Sequence, residues 1–73
     1  MPDPAVIAAI KTATFYRERA TEIETRAAYE HDSMKRAGSL HAASGFANLA
    51  RAFERFATEM QKAVDAELEE GGA

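Results

Sequence analysis

The chain lacks cysteine and tryptophan, and has only two prolines and four glycines in 73 residues. With no cysteine, disulfide staples are excluded, which fits a reducing compartment. Two histidines do not make a structural zinc set. There is no basic excess either. Lys and Arg number 9 against 12 Asp and Glu, a net charge of −3, which argues against a nucleic-acid binder. Long apolar runs are missing. The opening stretch Pro4 to Ile10 is seven residues long and follows acidic Asp3. It is too short and wrongly flanked for a signal peptide, and nothing approaches the ~20 residues of a membrane span. The expectation is a cytoplasmic protein with no membrane segment. Strict apolar–polar alternation is also absent, so no strand is expected.

At this length one domain, 1–73, is expected. A core this small is marginal, and small folds add disulfides, a metal or a second subunit. With the first two excluded, oligomerisation remains, and a homodimer is its simplest form.

What the chain does have is alanine, seventeen of them, the best helix former. Asp3 is placed to cap a first helix, and Pro4 suits its first position, where a missing N–H costs nothing. That helix is expected over about 4–37. Val6, Ala13, Ala20, Ala27 and Met34 recur every seventh residue, as do Ala9, Tyr16, Ile23 and Glu30. The turn is expected at about 38–39. Gly38 can take a left-handed helix end, Ser39 can cap the next helix, and Lys35 and Arg36 suit a C-terminus. Asp32-Ser33 and Ser44-Gly45 are alternative breaks; using both would leave a short third helix between them. The last helix is expected over about 40–70, closed by Gly71 and Gly72. Its ladder of Phe46, Leu49, Phe53, Phe56, Met60 and Ala63 has spacings of 3, 4, 3, 4 and 3, the seam of one helix packed on another. Glu22 with Arg26 and Arg55 with Glu59 are i,i+4 pairs on outer faces.

The expected fold is therefore all-α, an antiparallel two-helix hairpin. A turn at 38–39 brings residues whose numbers sum to roughly 77 to one level. Ala20 then faces Phe56, Ile23 faces Phe53, Ala27 faces Leu49 and Ala50, and Met34 faces Ala43. Small residues meet large ones, as interdigitating layers require. The apolar stripe is wider than one hairpin needs. Ala50, Ala57 and Val64 extend the second seam, and Ile7, Phe15 and Tyr29 lie off the first. Two hairpins in a four-helix bundle would cover these surfaces, with Ala20, Ile23, Ala27, Phe46, Leu49, Phe53, Phe56 and Met60 forming the core and dimer seam.

No catalytic, cofactor or metal site is expected. Glu30, His31, Asp32 and His41 are ligand types, but neither histidine has a glutamate three residues before it, as di-iron bundles require. Ser39, His41, Ser44 and Asp32 are triad types, yet serines beside a helix turn are ordinarily caps. No phosphate loop, dinucleotide fingerprint or HExxH motif occurs. Phe15 and Tyr29 share a heptad position on the outer side of the first helix. They are read as a partner surface or as part of the dimer core. Charge divides along the hairpin. Asp65, Glu67, Glu69 and Glu70 face only Lys62 at the open end, while Lys35, Arg36, Arg51 and Arg55 gather toward the turn.

These features point to a small non-catalytic interaction module, a homodimer that binds and regulates another protein as an adaptor, anti-activator or inhibitor. The alternative is an RNA- or DNA-binding hairpin dimer. In layout the chain resembles the small RNA-binding helical-hairpin dimers that regulate plasmid copy number. Arg17, Arg19 and Arg26 would carry such binding, but Glu18, Glu22 and Glu24 interrupt them.

Overall fold

The computed structural model describes residues 3–71. Two helices, α1 (Pro4–Ala28) and α2 (Ser33–Gly71), lie side by side. The fold is an all-α hairpin, with no strand among the described residues. Met1, Pro2 and the expected terminator Gly72 lie outside those residues, and Gly71 is the last residue of α2.

Asp3 starts α1 as its residue type suggests. Its backbone is extended, its carboxylate accepts the Ala5 N–H at 2.8 Å, and Pro4 follows at the first helical position. No breaker interrupts the helix until the turn.

The turn lies at 29–32, not at 38–39. Tyr29 ends α1, its N–H shared between the Arg26 and Ala27 carbonyls. The Glu30 N–H reaches the Ala27 carbonyl at 3.1 Å. Asp32 then caps α2: one carboxylate oxygen accepts the Met34 and Lys35 N–H groups at 2.9 and 3.0 Å. An aspartate that satisfies two orphan donors is a strong helix start. Gly38 and Ser39 become interior residues of α2, and no described glycine has a positive φ. A glycine inside a helix costs about 1 kcal/mol, an amount that a cap of this kind offsets. The break at Ser44-Gly45 is not used either, so no third helix forms.

Moving the turn shifts every facing pair. Val6 and Ala9 pack with Ala57 and Met60. Tyr16 lies between Phe46 and Phe53, its ring stacked on each at centroid distances of 5.9 and 5.8 Å. The pairings of Ala20 with Phe56, Ile23 with Phe53 and Ala27 with Leu49 are therefore replaced. Met34 falls in the first turn of α2 and is exposed.

The buried layer is almost wholly alanine. On α1 it consists of Val6, Ala9, Ala13, Ala20 and Ala27; on α2, of Ala43, Ala50 and Ala57. Both helices thus present an alanine every seventh residue, and small side chains let two helices approach closely. Tyr16, Ile23, Phe46, Phe53 and Met60 flank this layer half-buried. Within the hairpin the α2 seam is therefore rotated from the expected ladder. Leu49 and Phe56 remain 44% and 56% exposed, because close alanine contact leaves no room between the helices for the ladder's outer row.

The molecule is a rod, 62 × 15 × 12 Å, with a radius of gyration of 17.3 Å. A compact chain of this length would have about 11 Å. α2 has 39 residues and α1 has 25, so the last turns of α2 run beyond the start of α1. From Asp65 to Gly71 every residue is exposed. No helix among the described residues is long and apolar enough to cross a membrane.

Candidate interaction surface

The buried alanine layer divides the surface of the rod into two long faces. The first is aromatic. Phe46, Phe53 and Met60 form one row on α2, seven residues apart, and Leu49 and Phe56 form the next row outward. Tyr16 adds its ring from α1, and Phe15 packs edge-on against Tyr16 at 5.5 Å. Toward the turn this face ends in a dent of about 520 Å³ lined by Ile23, Arg26, Glu30, Lys35, Gly38, Ser39 and Ala42. Small residues make the dent, and two cations, Arg26 and Lys35, stand at its edge with the Glu30 carboxylate.

The opposite face carries an open groove of about 530 Å³. Val6, Ile10, Ala13 and Ala57 supply apolar lining, with Thr14, Glu54, Thr58 and Gln61 among its polar residues. Beside it Arg17 clamps the two helices. Its Nε and Nη2 both donate to Glu54 Oε1, at 2.9 and 2.6 Å. Both side chains are about half exposed, so the clamp contributes at most about 1 kcal/mol.

Two of the three arginines of α1 are held by carboxylates. Arg17 is paired with Glu54 and Arg19 with Glu22, the latter at 3.1 Å. Glu22 therefore pairs with Arg19 and not with Arg26; likewise Glu59 pairs with Lys62 and not with Arg55. Surface ion pairs of this kind place positive and negative charge side by side, so α1 offers no continuous cationic stripe to a phosphate backbone.

Phe15 and Tyr29 are 62% and 80% exposed. They share the outer side of α1 but stand fourteen residues apart, about 21 Å along the helix axis. The structure makes them two separate apolar points, with Glu22 between.

The ligand and triad residue types are dispersed. His31 sits exposed in the turn and His41 exposed on α2. Glu30 accepts the Asp32 N–H at 3.1 Å, and Asp32 is the cap described above. Among the described residues no three His, Cys, Asp or Glu side chains gather to hold a metal ion. Ser39 and His41 are two apart on one helix and so diverge.

The charged ends also move with the turn. Lys35 and Arg36 lie in the first turn of α2, at the turn end of the rod. Arg51 and Arg55 lie instead near the level of Tyr16, in the middle. Asp65, Glu67, Glu69 and Glu70 occupy the projecting end of α2, where Asp65 accepts from Gln61 at 2.9 Å.

Sequence reasoning placed the α2 interior on the phenylalanine ladder and set Ala50 and Ala57 at its margin. The seven-residue spacing of Ala43, Ala50 and Ala57 was the signal that would have marked them as the centre. No protein-family model, curated protein or solved structure matches this chain.

Proposed function

We propose that this chain is a non-catalytic protein–protein interaction module of the adaptor, anti-activator or inhibitor type. It acts in the cytoplasm as a homodimer, two hairpins closing into a four-helix bundle. One observation carries the reading: the small side chains are inside and the large ones outside. The buried hydrophobic residues are Val6 and seven alanines, while Phe15, Leu49 and Phe56 stay exposed.

The surface area supports it. A compact monomer of this mass exposes about 4400 Å², and a 60-residue domain buries about 60% of its unfolded surface. This chain exposes 5676 Å², so it buries only about half. A second hairpin laid on the aromatic face would bury phenylalanines at about 1.5–3 kcal/mol each. Phe15 and Tyr29, on the outer side of α1, then offer anchor points to a protein partner.

The test is capture of the tagged chain from its native cell, followed by mass spectrometry, with light scattering on the purified protein. The expected result is a dimer mass and one reproducible protein partner, lost when Phe15 or Tyr29 is changed to alanine in a still-dimeric chain. Co-purified nucleic acid that depends on Arg19 and Arg26 would sink the reading in favour of a nucleic-acid binder.

A further inference from the structure

The phenylalanine ladder is only partly used by the contact between α1 and α2, which is centred on alanine. Phe46, Phe53 and Met60 touch α1 along one edge and stay half-buried, and Leu49 and Phe56 remain exposed. The ladder nevertheless keeps the regular 3-4 spacing of a coiled-coil seam. We infer that this ladder is the seam for a second copy of the chain, with α2 lying antiparallel on the partner's α2. The inference rests on the dimer proposed above and names its geometry.

The ladder extends beyond its apolar part in both directions. One row runs Ser39, Phe46, Phe53, Met60, Glu67, and the other Lys35, Ala42, Leu49, Phe56, Ala63, Glu70. Along this single face, charge passes from a cation at the turn end to anions at the open end. In an antiparallel coiled coil each layer joins a residue of the first row to one of the partner's second row. Two-fold symmetry then repeats every layer with the roles exchanged.

One register satisfies size and charge together. Phe53 lies over the partner's Leu49, and Phe46 over the partner's Phe56. Met60 meets the partner's Ala42, a large residue against a small one, in the dent beside Gly38 and Ser39. Ser39 meets the partner's Ala63. Glu67 then meets the partner's Lys35, so an ion pair closes the seam at each end. The layer beyond would set Asp32 toward the partner's Glu70, but the Asp32 carboxylate is already turned to the Met34 and Lys35 N–H groups.

The competing arrangements fail on the same residues. Sliding one heptad in one direction places Glu67 on the partner's Ala42. Sliding in the other places Met60 on the partner's Lys35. A parallel pairing stacks Lys35 on Lys35 and Glu67 on Glu67, and like charges brought together in a seam are repelled. The 62 Å rod is therefore self-complementary only end to end.

The absence of cysteine makes the test clean. Lys35→Cys and Glu67→Cys both alter exposed positions, so each hairpin should fold, as circular dichroism would verify. Mixed and oxidised, the two variants are expected to give the mixed disulfide in preference to either self-linked product. Efficient self-linking of Lys35→Cys alone would mean a parallel seam and would overturn the inference while leaving the dimer standing. A dimer by light scattering with no cross-link in any mixture would place the seam elsewhere. A monomer at all concentrations would remove the dimer itself. As a second measurement, Glu67→Lys should weaken dimerisation about tenfold, because the changed contact occurs twice. Lys35→Glu combined with Glu67→Lys should restore it. No restoration would overturn the pairing.

Discussion

Ala50 is fully buried at the centre of the hairpin, and its size sets how closely the helices approach. Ala50→Leu forces three extra carbons into that contact. It should destabilise the fold by about 1–3 kcal/mol, the usual range for overpacking, read as a lower midpoint in urea. Arg51, one position on, is exposed and its side chain bonds to Asn48 at 3.2 Å. Arg51→Ala should change the same midpoint by less than about 0.5 kcal/mol. Gly38 offers a gain. It is helical, and a Cβ built there meets nothing within 4 Å. Gly38→Ala should stabilise α2 by about 0.5–1 kcal/mol. A loss in thermal melts would instead show that another chain's atoms occupy that position. Phe56 behaves differently from a core phenylalanine. At 56% exposure its truncation should cost the isolated hairpin little, and in the proposed dimer its effect would fall on association.

At the scale of the helix, Asp32 decides where α2 begins. Asp32→Ala leaves two backbone N–H groups without their acceptor and should cost about 1 kcal/mol, within a range of ~0.5–2, measured by chemical denaturation. It also leaves Gly38-Ser39 as the next available start, so helix content should fall near residues 33–38 in amide exchange. How the chain could be read follows from this competition. The start and inner face of α1 were legible, because Asp3-Pro4 is an unopposed start and its two heptad rows fall buried or half-buried as far as Ala27 and Glu30. The end was not, since the helix stops at Ala28 instead of about 37, and Met34, read as the next member of the first row, is exposed in α2. The turn was not, because three breakers lie within fourteen residues and the strongest cap is a lone aspartate beside a glycine–serine pair that looks stronger. The α2 interior was misjudged for a different reason. Large side chains dominate any periodicity count, yet close helix contact selects small ones. The expected pairs Glu22–Arg26 and Arg55–Glu59 lost to neighbours one turn away, a choice that spacing alone does not make.

For the whole molecule, folding and association should be coupled. A hairpin that buries only about half of its unfolded surface would, in the proposed dimer, gain most of its remaining burial from another copy. Its melting temperature should therefore rise with protein concentration, a dependence that a stable monomer does not show. Scanning calorimetry across a hundredfold range of concentration checks this. The alanine layer has one more consequence. Two rails that each carry the same small group every seven residues are nearly equivalent under translation. A slide of about 10.5 Å returns alanine to alanine and loses little contact there. Alignment is stored elsewhere: in the seat of Tyr16 between Phe46 and Phe53, in the Arg17–Glu54 clamp, and in the short tether at 29–32. Cutting that tether and changing Tyr16 to alanine would leave two helices that still adhere but no longer know where to stop.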